Sequence, residues 1–247
     1  MMHEQAGKVA LVTGAARGIG AAVAERLARD GFAIIVNYAG SEAKARVLTD
    51  KIKDSGGQAL AIQADVADAQ AVRHMFSAAE AAFGGVDVLV NNAGIMALAA
   101  IGACSDDAFD RQIAVNMRGT FNTLREAANH LRDGGRIINF STSVLGLRLE
   151  NYGIYAATKA AVEAMTAIMA KEMRGRGITV NAIAPGPTAT DLFLDGKSPE
   201  LIERLAKMAP LERLATPEDI AAAVAFLAGA DGGWINGQVL RANGGLV

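Results

Sequence analysis

Short runs of β-branched and aliphatic residues alternate with longer amphipathic stretches along nearly all of the 247-residue chain. The apolar runs are almost continuous, as in strands buried on both faces, and predict strands at 8–13, 33–37, 58–63, 86–90, 136–140 and 178–183, with a last strand near 238–241. Helical periodicity predicts helices at 18–30, 41–55, 68–83, 106–130, 152–174 and 217–228. This order predicts one α/β domain over residues 1–247, a doubly wound Rossmann fold with a mostly parallel seven-stranded sheet and helices on both faces.

The composition excludes several classes of protein. Hydrophobic residues make up 51% of the chain and the formal net charge is −2, which excludes disorder and offers no basic field for nucleic acid or an anionic membrane. The longest apolar run, 220–230, is shorter than the ~20 residues of a membrane span. Residues 1–5 lack a signal-peptide pattern, and the lone Cys104 fits a reducing compartment. We therefore expect a cytoplasmic protein without a nucleic-acid or membrane partner.

A glycine-rich turn follows the first predicted strand directly. Gly14, Gly18 and Gly20 have the spacing Gly-x3-Gly-x-Gly and lead into a predicted helix. Glycines let the backbone approach a pyrophosphate, and the helix start presents free N–H groups to the anion. An ordinary strand–helix turn with glycines for packing is the other interpretation, and the strand and helix on either side favour phosphate binding.

Tyr155 and Lys159 lie four residues apart on a predicted helix, so their side chains share one face. A neighbouring ammonium would lower the pKa of a phenol from ~10 toward the range in which it exchanges protons near neutral pH. Taken alone, the same spacing also fits an ordinary surface pair.

These motifs together resemble the classical short-chain dehydrogenases/reductases, and the resemblance covers nearly the whole chain. It rests on the glycine turn, Asp65-Val66, Asn91-Asn92-Ala93-Gly94, Asn116, the Ser141-Thr142-Ser143 cluster, Tyr155-x3-Lys159, Pro185-Gly186 and Gly244-Gly245. The resemblance implies an NAD(P)-dependent oxidoreductase in which Tyr155 is the general acid and base and Lys159 also holds the nicotinamide ribose.

Within this family the chain looks most like the 3-oxoacyl-[acyl-carrier-protein] reductases. We therefore expect NADPH-dependent reduction of a carbonyl, in a 3-oxoacyl thioester or a related ketone, to a hydroxyl. A ketone, sugar or polyol dehydrogenase of the same family is an alternative. A catalytically idle regulator that senses the dinucleotide is an alternative of another class.

The end of the second predicted strand favours NADP(H) over NAD(H), which remains possible. Asn37, Tyr38 and Ser41 stand where an acid would repel a 2′-phosphate, and Arg17 in the glycine turn could pair with that phosphate. Loose selectivity with a solvated Arg17 is the other interpretation. Including residues that the resemblance implies, the predicted cofactor-binding set is Gly14, Arg17, Gly18, Ile19, Gly20, Asn37, Tyr38, Ser41, Asp65, Val66, Asn91, Ala93, Gly94, Tyr155, Lys159, Pro185, Gly186 and Thr188.

The hydroxyl that orients the substrate carbonyl has two candidates. Thr142 occupies the expected position by its spacing to Tyr155, whereas Ser143 begins the Ser-x-x-Gly pattern of the family. With Asn116, which resembles the family's helix-interrupting asparagine and also fits a polar residue on a buried helix, the predicted catalytic set is Asn116, Thr142, Ser143, Tyr155 and Lys159. His3, His74, His130 and Cys104 lack metal-ligand spacing, so no metal is expected.

The substrate and the partners are less constrained. Apolar residues within 184–208 suggest a lid over the substrate, although an ordinary amphipathic helix would show the same pattern. Arg176, and Arg132 beside Asp133, stand near the positions at which the resembled reductases dock an acidic carrier protein. The long helices and the region around Trp234 resemble the family's oligomer interfaces, so we expect a homotetramer that acts on a small carbonyl or alcohol substrate.

Overall fold

The apolar runs form one parallel sheet in the computed structural model, which describes residues 7–247. Residues 1–5, which include His3 and lack a signal-peptide pattern, lie outside the described residues. The strands are β1 (Val9–Val12), β2 (Ala33–Tyr38), β3 (Ala59–Gln63), β4 (Val86–Asn91), β5 (Leu131–Phe140), β6 (Thr179–Pro185) and β7 (Val239–Ala242). Their order is β3-β2-β1-β4-β5-β6-β7, and all six pairings are parallel, which confirms the predicted fold class.

Helices cover both faces of this sheet. They are α1 (Gly18–Arg29), α2 (Glu42–Asp54), α3 (Ala69–Phe83), α4 (Asp106–Gln112), α5 (Gly119–His130), α6 (Val144–Leu147), α7 (Gly153–Glu172), α8 (Asp191–Leu194), α9 (Pro199–Lys207) and α10 (Pro217–Ala228). Side chains of β1 alternate between the two layers, with Ala10 and Val12 packed among α1, α2 and α10 and with Val9 and Leu11 packed among α3, α5 and α7. No helix within residues 7–247 is long and apolar enough to cross a membrane.

The predicted helix at 106–130 is interrupted. A π-helical segment, Ile113–Arg118, separates α4 from α5 and contains Asn116, which is fully buried. Such wider turns occur often at functional sites. Apolar periodicity continues through the segment, so the sequence pattern alone did not separate the two helices.

Two further differences concern short elements. β5 begins at Leu131 rather than at 136, and the pairing of β4 with β5 shifts register between Val86 and Val88. The one-turn helices α6 and α8 were not predicted, because four residues are too few for a periodic signal.

The chain order places the site. β1 pairs with β2 on one side and with β4 on the other, so the connections diverge at this pair. In an open parallel sheet, ligands bind beyond the carboxyl ends of the strands at such a switch point. The segments that follow β1, β2, β4, β5 and β6 therefore meet at one edge.

Candidate active site

Two adjoining cavities lie at this edge of the sheet. The first, here called the glycine-turn cavity, has a volume of about 300 Å³. The second, here called the tyrosine cavity, has a volume of about 180 Å³. Both are lined by Ile19, Asn92, Gly94, Ile95, Thr190 and Leu192. A ligand in one cavity would therefore contact wall residues that also line the other cavity.

The glycine-turn cavity brings together most of the predicted cofactor-binding residues. It is lined by Gly14, Arg17, Gly18, Ile19, Asn37, Tyr38, Ser41, Asp65, Val66, Ala93 and Gly94. α1 begins at this cavity, and among the described residues no side chain caps its start and no acid lies in its first turn. Its first N–H groups and positive dipole end suit a pyrophosphate, so this cavity fits a dinucleotide.

Three predicted cofactor residues shape the turn or the sheet beside it. A Cβ on Gly20 would lie 2.5 Å from the Asn92 Nδ2, so this glycine permits close packing and does not line either cavity. Asn37 Oδ1 accepts a 3.2 Å hydrogen bond from the Gly14 N–H and thereby holds the turn against β2. The Asn91 side chain points into the sheet, where its Nδ2 donates to Asn139 Oδ1 at 2.8 Å, away from both cavities.

The glycine-turn cavity is lined by both positively and negatively charged side chains. Arg17 and Arg111 line it, and the end of β2 contributes the Ser41 hydroxyl. Asp65 Oδ1 accepts a 2.9 Å hydrogen bond from the Ala67 N–H, as in a turn at a strand end, while its Oδ2 lies 3.7 Å from Arg111 Nη1. Asp65 therefore stabilises the turn after β3 and also lines the cavity.

Tyr155 and Lys159 both face the tyrosine cavity from the first two turns of α7. The Lys159 Nζ donates a 2.7 Å hydrogen bond to the Phe140 carbonyl and lies 5.9 Å from the centroid of the Tyr155 ring. The predicted residues Thr142, Ser143, Pro185, Gly186 and Thr188 line the same cavity. The pair is therefore an interior pair and not a surface pair.

Burial governs the proton affinity of both groups. It raises the pKa of Tyr155 to about 12, although hydrogen bonding with Thr142 opposes this rise. Burial also lowers the pKa of Lys159 to about 8. The expected lowering of the Tyr155 pKa by Lys159 is not found in this structure. Burial raises the Tyr155 pKa, and Lys159, with a pKa of about 8, loses its own proton before the phenol titrates.

The two candidate hydroxyls have different surroundings. The Thr142 hydroxyl interacts with the Tyr155 phenol and accepts from the Val144 N–H at 3.3 Å. The Ser143 hydroxyl donates to the Ala184 carbonyl at 2.9 Å and accepts from Asn243 Nδ2 at 3.0 Å. The Thr142 hydroxyl is thus directed at Tyr155, whereas Ser143 donates its proton to the backbone.

Asn116 lies behind the cavity wall. Its Oδ1 accepts from the Ile95 N–H at 2.8 Å, and its Nδ2 donates to the Ile95 carbonyl at 2.9 Å and to Thr158 Oγ1 at 3.2 Å. A Cβ on Gly94 would lie 3.4 Å from Asn116 Oδ1 and 3.5 Å from Lys159 Nζ. Asn116 therefore fixes the segment that separates it from Lys159.

Several lining residues were not predicted from the sequence. Asn92, Arg111, Thr190 and Leu246 line one or both cavities. Asn92 stands inside a motif that we quoted, and its Nδ2 donates to the Thr13 and Gly14 carbonyls at 2.9 and 3.1 Å. Arg111 and Leu246 belong to none of the motifs, so only folding could reveal their positions.

Segment 184–208 supplies apolar wall residues from two of its parts. Leu192, Phe193, Leu205 and Met208 line the tyrosine cavity, together with Met96, Leu147, Leu149 and Tyr152 from elsewhere. Leu98, two residues after Met96, is 42% exposed and does not line the cavity. Among residues 7–247, no group of three His, Cys, Asp or Glu side chains could hold a metal ion.

The sheet, the glycine turn and the paired cavities define a dinucleotide-binding α/β protein, and comparisons identify its family. A family model described as enoyl-(acyl carrier protein) reductase matches residues 14–247. The chain is 44% identical to an NADPH-dependent aldehyde reductase-like protein, chloroplastic, from Arabidopsis thaliana, covering 98% of this chain and 95% of that protein. The chain belongs to the short-chain dehydrogenase/reductase family and is an NAD(P)-dependent oxidoreductase.

Solved structures agree with this assignment. A short-chain dehydrogenase from Burkholderia cenocepacia J2315 in complex with NADP is 39% identical, covers 99% of both chains and has a TM-score of 0.93. A short-chain dehydrogenase/reductase from Serratia marcescens BCRC 10948 is also 39% identical over 99% of both chains, with a TM-score of 0.94. The fold class predicted from the sequence is thus shared with both.

Proposed function

We propose that this protein reduces an apolar aldehyde or ketone to the alcohol with NADPH. The observation that carries the proposal is the joining of two cavities, one with a phosphate-binding turn and one with Tyr155 and Lys159 among mainly apolar walls. The NADPH-dependent name of the Arabidopsis thaliana relative and the NADP-bound Burkholderia cenocepacia structure support the choice of cofactor.

Tyr155 acts as the general acid in this reduction. Because burial holds its pKa near 12, the phenol keeps its proton across the neutral range and can donate it to the carbonyl oxygen. The Thr142 hydroxyl orients the same oxygen and stabilises the negative charge that develops on it. When bound, the reduced nicotinamide supplies the hydride. Lys159 holds a positive charge behind Tyr155, and Asn116 fixes the backbone beside that charge.

NADP(H) is the preferred cofactor in this proposal, with NAD(H) as the weaker one. Arg17, Arg111 and Ser41 line the glycine-turn cavity, and β2 ends in Asn37 and Tyr38 rather than in an acid. Arginine recognises a phosphate with a planar set of donors, and a serine hydroxyl adds a further one. A 2′-phosphate at the end of β2 would therefore meet these donors and no acid from β2, while Asp65 and Asp191 line other parts of the cavity wall.

A free carbonyl compound is favoured over one carried by an acyl carrier protein. Arg176 already pairs with Asp133 at 2.8 Å and donates to the Ala128 carbonyl at 2.7 Å. Arg132 pairs with Asp87 at 2.9 Å and donates to the Phe83 carbonyl at 3.2 Å. Both candidate docking cations are thus held by their own chain. A 3-oxoacyl carrier substrate and a sugar or polyol substrate remain the alternatives.

A substrate panel tests this function. NADPH oxidation with apolar aldehydes and ketones should exceed that with sugars and should exceed NADH oxidation with the same substrates. A carrier-linked 3-oxoacyl thioester should give no higher kcat/KM than a short thioester analogue without the carrier. NADPH binding without turnover of any substrate would instead favour the dinucleotide-sensing regulator and would contradict the proposal.

The assembly and the lid belong to the same proposal. Phe109, Phe121 and Ile168 on the α4, α5 and α7 faces are 43%, 48% and 53% exposed, which suits an isologous contact between copies. Trp234 is 99% exposed near β7 and suits a second contact. We propose a homotetramer built on these two faces, with 184–208 as the lid over each tyrosine cavity. A cytoplasmic location stays a prediction of the sequence.

Exchange of the two neighbouring hydroxyls for alanine should separate their roles. Thr142→Ala should lower kcat by about 100-fold, because it removes a donor aimed at the developing oxyanion. Ser143→Ala should lower kcat less than about 10-fold but destabilise the fold by about 1–3 kcal/mol, because two buried polar partners lose their hydrogen bond. Steady-state kinetics and urea unfolding measure both effects. The opposite pattern would assign the carbonyl to Ser143.

A further inference from the structure

Segment 243–247, which follows β7, reaches the tyrosine cavity. Leu246 lines this cavity, as do Thr142 and Tyr155. No motif of the sequence analysis assigns a role to Leu246, and the mechanism above does not use it. Its position makes the segment part of the space in which a substrate side chain would lie.

Asn243 fixes the conformation of this segment. Its side chain is buried, and its Oδ1 accepts from the Gly245 N–H at 3.0 Å and from the Leu246 N–H at 3.2 Å. Its Nδ2 donates to the Ser143 hydroxyl at 3.0 Å and to the Val247 carbonyl at 3.4 Å. One amide therefore closes the turn that carries Leu246 and ties this turn to the catalytic loop.

Close backbone contacts hold the same segment from two sides. The Gly186 N–H donates to the Ala242 carbonyl at 2.9 Å, and a Cβ on Gly186 would lie 2.9 Å from the Asn243 Cα. On the other side, a Cβ on Gly146 would lie 2.9 Å from the Val247 Cγ2. These contacts leave little room for the segment to shift, so Leu246 keeps a fixed place in the wall.

We propose that Leu246 is a specificity-determining residue that limits the bulk of the substrate, and that Asn243 is the positioning residue that holds it. This inference rests on the proposed carbonyl reduction. A branched aliphatic wall in a cavity of about 180 Å³ favours slender apolar carbonyl compounds over those that carry a bulky branched group.

Changes in the size of residue 246 test the proposal. Leu246→Ala should raise the ratio of kcat/KM for 4-tert-butylbenzaldehyde to that for propanal by about 10-fold, and Leu246→Phe should lower it. Leu211→Ala is the matched control, because Leu211 lies 3.6 Å from a Cβ at position 244 but does not line the tyrosine cavity. The control should leave the ratio unchanged, and NADPH should bind all three variants with the Kd of the wild type.

Two variants of Asn243 test the positioning role. Asn243→Leu removes every side-chain hydrogen bond of the segment and should raise the substrate ratio as Leu246→Ala does. Asn243→Asp keeps the acceptors for the Gly245 and Leu246 N–H groups and should restore most of the wild-type ratio. Equal ratios in all variants, or a change in NADPH Kd without a change in ratio, would overturn the inference.

A binding measurement that needs no turnover tests the role of Leu246 independently of the proposed function. The apolar fluorophore ANS should bind more tightly to Leu246→Ala and more weakly to Leu246→Phe than to the wild type. Wild-type protein that binds NADPH but reduces no aldehyde or ketone of the substrate panel would refute the proposed function, and ANS binding would still test the wall. Unchanged ANS binding, with or without turnover, would refute the role of Leu246.

Discussion

Replacement of Tyr155 with phenylalanine should lower kcat for carbonyl reduction by about 100- to 10,000-fold, the range of general acid catalysis. The substitution removes the phenol proton but keeps the ring that lines the tyrosine cavity. NADPH should bind with nearly the wild-type Kd, because Tyr155, although in the predicted cofactor-binding set, does not line the glycine-turn cavity. Single-turnover kinetics and a fluorescence titration of NADPH measure the two quantities.

Tyr152 provides the matched control. Its ring packs edge-to-face against that of Tyr155, with the centroids 6.4 Å apart, and it lines the same cavity. Tyr152→Phe should change kcat by less than about 10-fold, because the Tyr152 hydroxyl does not donate a proton to the substrate in the proposed reaction. Equal losses in the two variants would mean that neither phenol is the specific proton donor.

The direction of the Tyr155 pKa shift also favours one direction of reaction. A phenol with a pKa of about 12 is protonated at pH 7, as carbonyl reduction requires, whereas alcohol oxidation requires the deprotonated form. The proton affinity of Tyr155 therefore suits reduction near neutral pH.

Replacement of Lys159 with methionine should abolish most activity yet raise the free energy of unfolding at pH 7. Burial lowers the Lys159 pKa from 10.5 to about 8, which corresponds to a cost of about 3 kcal/mol for keeping the charged form in the folded protein. Loss of the hydrogen bond to the Phe140 carbonyl returns about 1–2 kcal/mol of this gain. A net rise of about 1–2 kcal/mol, seen as a Tm increase of about 2–8 °C, is expected.

The stability difference between Lys159→Met and the wild type should depend on pH, which a change in packing alone would not produce. Between pH 8 and 10.5 the unfolded chain still carries the Lys159 proton while the folded protein has lost it, so wild-type stability rises with pH relative to the variant. The gap should therefore be widest below pH 8 and close toward pH 10.5. Lys171→Met, at an exposed position of the same helix, is the control and should show no such trend. A stability gap that does not vary with pH would contradict the buried charge.

Local sequence patterns predicted most of the strands and long helices. Near-continuous apolar runs and 3.6-residue periodicity depend on neighbouring residues, so they predicted the strands and long helices close to their true bounds. Periodicity did not divide the predicted helix 106–130, but the resemblance marks Asn116 as a helix-interrupting residue, and the π-helical segment Ile113–Arg118 interrupts the helix there. The partner of Asn116 is Ile95, some twenty residues away. The early start of β5 escaped because Asp133 and the adjacent glycines disfavour a strand locally.

The sequence by itself determined the parallel α/β architecture, the glycine turn and the Tyr155–Lys159 pair, since each is written in spacings within one or two elements. Only the tertiary structure decided that the Ser143 hydroxyl is engaged by the Ala184 carbonyl and by Asn243, which is 100 residues further along the chain. It also decided that burial raises the Tyr155 pKa, and that Arg132 and Arg176 have carboxylate partners. Desolvation and pairing depend on what surrounds a group in space, and that environment is assembled from distant parts of the chain.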